Sequence, residues 1–206
     1  TTEVNGESVT LTETGASTGI FRGSISFSEA AAVDADGILQ VVRGDKLTGS
    51  YTDPTDDFGN ENTVVDIAFY GATLSSGAID SDVTWTASNS PFLVTGDVTI
   101  PEGMTLTIEP GVEVRFLAIS DDQSSGNTNY AEIIIDGSLV AVGTVTDSII
   151  FISNAEVPTK TDWYGFRTNN PHVIHLSYVS FQHASHIFNT GINMSSGDSL
   201  RITHSH

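Results

Sequence analysis

The chain has 206 residues, 26 of them acidic against 7 Lys and Arg, for a formal net charge of -19 at pH 7. That balance repels nucleic acid and anionic membranes, and the lack of cysteine excludes disulfides, thiolate nucleophiles and cysteine-ligated zinc. No apolar run approaches the ~20 residues that span a bilayer, and Thr1-Thr2-Glu3 lacks the parts of a signal peptide, so the chain reads as a mature fragment or an interior piece of something longer.

From Ser8 to Phe69 the pattern is one of short strands, SVTLTET, IFRGSISF, ILQVVR, LTGSYT and TVVDIAF, separated by Gly, Asp and Asn turns. The helix-like piece, Ser28 to Val33, is too short to be stable alone and is placed in a loop or single turn. Strands at this spacing predict a small antiparallel sandwich with Val9, Leu11, Phe21, Ile25, Leu39, Val41, Leu47, Tyr51, Val65, Ile67 and Phe69 inside.

The words VTLTETGASTGIFRGSI, Val9 to Ile25, and GILQVVRGDKLTGSYTD, Gly37 to Asp53, carry a resemblance. This segment resembles immunoglobulin-like modules of bacterial and archaeal surface proteins, with Glu13 to Gly23 as the motif and Phe21 expected to point inward between two tight corners. The five strand-like runs fall short of the ~7 of such a sandwich. An incomplete sheet exposes an edge, which predicts either that the chain begins partway through a domain or that a strand from a neighbouring chain completes the sheet.

Gly71 to Ser81, GATLSSGAIDS, reads as a linker. Two domains follow: 1-76, the incomplete sandwich, and 77-206, the cap and first coils of a solenoid. In DVTIPEGMTLTIEPGVEVRF the residues Val98, Ile100, Met104, Leu106, Ile108, Val112, Val114 and Phe116 alternate with polar ones and break step at Pro-x-Gly corners. Period two with corners is what a coil needs if alternate side chains are to fill a central core. Further coil words follow at IIIDGSLVAVG, SIIFISN, WYGFRTNN, VIHLSYVSFQHA and SLRITHSH, and the likeness of HLSYVS to SLRITH suggests a turn of 24 residues between Leu176 and Leu200. Trp85, Pro91 and Phe92 are expected to cover the open end of the core.

On Trp85, Pro91 to Val94, TIPEGMTLTIEPGVEVRF, IDGSLVAVGT, IIFIS and Trp163 with Gly165, the second half resembles right-handed parallel β-helix proteins of the extracellular, pectin-lyase-like kind. The resemblance implies architecture and leaves activity open, because that scaffold carries lyases, hydrolases, adhesins and passive stalks. The fold class expected is therefore all-β, a sandwich followed by a right-handed parallel β-helix. The last coil shows no closing cap at His206, which predicts further polypeptide or a stacked subunit.

Chemistry is thinner. Asp53, Asp56, Asp57 and Asn60 crowd one loop with Glu61 and Asn62, and oxygen donors at that spacing suit calcium, against the alternative of a solvated acidic loop. Weaker acidic pairs are Asp34 with Asp36, Asp80 with Asp82 and Asp121 with Asp122. All six histidines lie between His172 and His206, without a carboxylate fixed by spacing, so outward-facing or stacked imidazoles are set against a metal site. Asp162, Trp163, Tyr164 and Arg167 combine aromatic rings and charges suited to a sugar, with core packing as the other reading of Trp163. Asp136 and Asp147 read as turn formers. An enzyme of this fold needs carboxylates on one outer face with an Arg or Lys nearby.

These readings point to a non-catalytic extracellular structural or adhesive module of a cell-surface protein or filament, with calcium as the cofactor. Its partners are copies of itself, neighbouring domains or glycans, with no nucleic acid and no membrane insertion. The alternatives are the front part of a polysaccharide lyase or glycoside hydrolase, and a glycan-binding adhesin using the face near Trp163.

Overall fold

The computed structural model describes residue 3 and residues 5–55, 58–118, 129–168, 171–188 and 199–205. The chain divides into two compact units, Thr1–Gly71 and Ala72–His206.

The first unit is built of paired strands. Thr12–Glu13 (β1) and Phe21–Arg22 (β2) form an antiparallel pair, closed by a bond from the Thr14 amide to the Ile20 carbonyl at 2.8 Å and from the Gly19 amide to Glu13 Oε1 at 3.0 Å. Ser26–Ser28 (β3) and Ile38–Gln40 (β4) pair in parallel. Lys46–Asp53 (β5) and Asn62–Phe69 (β6) make a longer antiparallel ribbon.

The expected sandwich is not among the described elements, which are three separate two-stranded sheets. Of its proposed interior, Val41 is buried, whereas Val9, Leu11, Phe21, Tyr51, Val65 and Ile67 are exposed. The reason lies in the pairing. In the ribbon, Ile67 and Val65 stand on one side and Tyr51 and Val64 on the other, so neither side collects enough apolar surface to hold a second layer. Phe21 likewise faces solvent, and Ser28 to Val33 beyond β3 is loop.

The second unit is a parallel β-helix. Its first strand, Thr73–Ala78 (β7), lies inside the expected linker and pairs in parallel with a later strand, with a shift between Ser75 and Gly77. Alternation explains it: Thr73, Ser75 and Gly77 are half-buried and their neighbours exposed, so small polar residues serve on an outermost rung. The first full rung is Val83–Trp85 (β8) and Phe92–Ile100 (β9), joined by a 3-10 turn at Ala87–Asn89. The second comprises Thr105–Ile108 (β10), Glu113–Phe116 (β11) and Glu132–Ile135 (β12). The third holds Ser138–Val142 (β13), Ile149–Ser153 (β14) and Gly165–Thr168 (β15). Val173–Ser177 (β16) and Val179–Phe181 (β17) belong to the fourth, and Ser199–Thr203 (β18) opens the next.

Register sorts these strands onto three faces. One is the five-stranded sheet β8, β10, β13, β16, β18. The other two share β9, whose first half pairs with β11 and second half with β12. β14 and β17 continue the second face, and β15 the third. Alternate side chains then pile into columns: Leu106, Leu139 and Ile174 on the first face, Phe92, Val114 and Phe151 on the second, Val98, Ile133 and Phe166 on the third. All of these are buried, and each such side chain contributes about 1.5–3 kcal/mol of transfer free energy. Trp85 stacks on Phe92 with centroids 4.7 Å apart. Of the alternating residues read from sequence, all but half-buried Met104 are fully inside.

One spacing differs from expectation. Leu176 pairs with Ile202 and Ile174 with Leu200, so the turn that ends at β18 has 26 residues instead of 24. A two-residue offset preserves which side chains face inward, which is why the likeness of the words misled the count. The corners demand glycine where rungs approach closely: a Cβ on Gly137 would lie 2.2 Å from the Pro101 carbonyl oxygen, and one on Gly165 1.8 Å from that of His186.

Candidate functional site

In β12, Ile133 and Ile135 point into the core, which sends Glu132 and Ile134 to the outer side of the third face. The same parity puts Asp97 just before Val98 and sets Arg167 opposite Ile134. Asp97 and Glu132 therefore stand in one column on neighbouring rungs, and Arg167 reaches Glu132 from two residues farther along the next rung. Asp97 Oδ1 accepts the Glu132 amide at 2.9 Å. Glu132 accepts two bonds from Arg167, Nε to Oε2 at 2.5 Å and Nη2 to Oε1 at 2.8 Å. Asp97 and Glu132 are fully buried, and 19% of the Arg167 side chain is exposed. The hydrogen bonds to Glu132 outweigh burial and, with the charges of Glu132, Tyr164 and Asp97, raise the Arg167 pKa above its ordinary value. The guanidinium also stands 5.7 Å from the Tyr164 ring centroid, a cation–π distance, and that ring lies 5.0 Å from the imidazole of His186.

The four residues read from sequence as a sugar site are thus separated by parity and partner. Trp163 faces inward, fully buried, stacked on Phe116 at 3.8 Å and donating Nε1–H to the Gln182 carbonyl at 2.9 Å. Asp162 engages Ser153 Oγ at 2.5 Å and the Thr159 hydroxyl and amide at 2.5 and 2.9 Å, not Arg167. Burial by itself raises the Asp162 pKa, but these donors and the nearby His183 outweigh it and hold the carboxyl below its ordinary value. Tyr164 and Arg167 remain together on the outer side.

Sequence reasoning named Arg167 and missed its partners Asp97 and Glu132. The signal was present: in DVTI and EIII an acid directly precedes the aliphatic residues that face the core, and Asp97, Glu132 and Arg167 succeed one another at separations of 35.

The acidic loop read from sequence as a calcium site is described in part. Asp53 Oδ1 accepts the Thr55 amide at 3.0 Å, Asn60 lies in the same β5–β6 connection, and Asp56 and Asp57 fall outside the described residues. Among the described residues no group of three or more His, Asp and Glu is placed to hold a metal ion. Several other acids serve backbone: Asp82 accepts the Thr105 amide at 2.8 Å, Asp36 the Ile38 amide at 2.8 Å, and Asp147 the Thr144 and Thr146 hydroxyls. Asp121, Asp122 and His206 fall outside the described residues. Of the histidines, His204 stacks on Tyr178 at 4.7 Å and 6°, and His172 Nε2 stands 3.9 Å from Glu102.

With these rungs in view, comparison with known proteins bears on their kind. Residues 77–169 match the family model of the pectate-lyase like beta helix domain. The matched stretch runs from the end of β7 through β15 and includes Asp97, Glu132 and Arg167. No curated protein and no solved structure matches the chain. No helix among the described residues is long and apolar enough to cross a membrane.

Proposed function

We propose that the chain is a non-catalytic structural or adhesive module of an extracellular surface protein or filament, with the β-helix as a stiff spar and strand edges as docking points. The observation that supports this most directly is the commitment of the outer-face groups: both oxygens of Glu132 are taken by Arg167, so the pair ties one rung to the next and offers no ready proton acceptor. The β5–β6 ribbon, with Tyr51, Val64, Val65 and Ile67 exposed, supports assembly through sheet edges. Calcium bound by Asp53, Asp56, Asp57 and Asn60 belongs to the same reading, as does glycan contact at Tyr164 and Arg167 in place of buried Trp163.

The test has two arms. Purified protein is examined by electron microscopy and by light scattering across a concentration series, and is incubated with a panel of polysaccharides while chain length is followed. Assembly without cleavage is the expected result; discrete monomers at every concentration, or shortening of any polysaccharide, overturns it. The second reading, a carbohydrate-active β-helix enzyme, draws on the grouping of Asp97, Glu132 and Arg167 on one outer face, and polysaccharide shortening lost in Glu132→Gln would establish it.

A further inference from the structure

The fourth rung sets a histidine against a buried carboxylate. Residues 182–186 are laid over 162–164 by the parallel bridge between Trp163 and Ala184, by bonds from the Ser185 amide to the Trp163 carbonyl and the His186 amide to the Tyr164 carbonyl, both 2.9 Å, and by Trp163 Nε1 to the Gln182 carbonyl. One step back in that register, His183 stands against Asp162. Asp162 is 4% exposed, and among the described residues the bonds it accepts come from Ser153 and Thr159, none from the rung above. His183 holds a φ of +65°, an uncommon conformation for a bulky residue, and its Nδ1 is buried without a hydrogen-bond partner among the described residues. A rung contact that carries both a left-handed backbone and an orphaned ring nitrogen is costly as it stands, and one proton would change its character.

We propose that His183 and Asp162 form a proton-operated latch between the third and fourth rungs, open when the imidazole is neutral and closed when it is charged. Closing takes one proton from solvent onto the imidazole and changes no other bond. The neutral ring leaves a carboxylate beside a dipole; the imidazolium makes an ion pair in surroundings that screen charge poorly. The Asp162 carboxyl, held by Ser153 and Thr159, stays ionised while the imidazole charges, so the attraction is present over the whole histidine range. Among the described residues, the titratable and charged groups on the packed segments are Asp162, Tyr164 and His186, with exposed Glu156 and Lys160 in the 153–162 segment that holds the carboxyl, and Arg167 beyond the Tyr164 ring with its charge met by Glu132. Charging His186 beside Tyr164 and Arg167 works against closure, which makes the isolated substitution of His183 the decisive comparison.

The experiment is amide hydrogen exchange of the whole chain at about pH 5.5 and about pH 8, with rates corrected for intrinsic chemistry. Exchange in peptides covering 182–186 is expected to slow about tenfold at the lower pH. Peptides of the second rung, 105–116, are expected to hold constant. The slowing disappears in His183→Gln, and separately in Asp162→Asn should the first variant not fold. Equal protection at both pH values in the unmodified chain, or slowing that survives both substitutions, overturns the latch.

Discussion

Phe116 and Trp163 lie face to face on neighbouring rungs, ring centroids 3.8 Å apart and planes 5° from parallel. With Phe151, Phe166 and Phe181 they fill the interior with contacting rings where a purely aliphatic column would leave gaps. Trp163→Ala should lower the unfolding free energy by about 3–5 kcal/mol, the range for emptying a large core site. Urea denaturation read from the fluorescence of Trp85, the other tryptophan, measures it, and a loss below about 1 kcal/mol would mean the ring is not packed as described.

Glu132 has no exposure and its charge is met by Arg167. Arg167→Met strands a carboxylate in the wall of the helix and should cost about 3–5 kcal/mol, whereas adding Glu132→Leu removes the orphaned charge and should restore most of the loss. A double-mutant cycle in denaturant decides between this and a surface pair, whose coupling would stay within about 1 kcal/mol.

At Gly165 an added Cβ meets the His186 carbonyl oxygen at 1.8 Å, and the φ of +124° is itself closed to other residues. Gly165→Ala should part the third rung from the fourth and open the chain after β15 to protease. Gly103, with φ +81° and nothing within 4 Å of its Cβ position, is the control: Gly103→Ala should leave the cleavage pattern unchanged and cost about 1–2 kcal/mol.

Asp162 carries a pH signature of defined sign. Its folded pKa is depressed below the ordinary 3.8, so its contribution is fully present above that value and is lost as the pH falls through the lower folded value. The stability difference between the unmodified chain and Asp162→Asn should shrink as the pH falls below about 4. A difference that grows on acidification in that range would reverse the assignment.

For the acidic loop the expected outcome is a rise in the melting temperature with millimolar calcium, removed by chelator and absent in Asp53→Asn. Magnesium, which takes a tighter octahedral set of ligands, should not reproduce it. An identical shift with both ions, or none with calcium, would reduce Asp53, Asp56, Asp57 and Asn60 to a solvated turn.

What the sequence determined by itself is the second unit. Alternation from Val98 to Phe116, interrupted at Pro101 and Pro110, specifies which side chains face inward, and a parallel coil is how such short runs share one core. The first unit was illegible for the converse reason: its runs place apolar residues on both sides of each strand, as at Tyr51 and Val65, so local pattern names no interior. The rung offsets, and with them the site, were left to tertiary structure. Whether Arg167 answers to Asp162, close in sequence, or to Glu132 on the rung below depends on the corner lengths between strands, and a side chain's partner across rungs is fixed by backbone hydrogen-bond register that no single rung encodes.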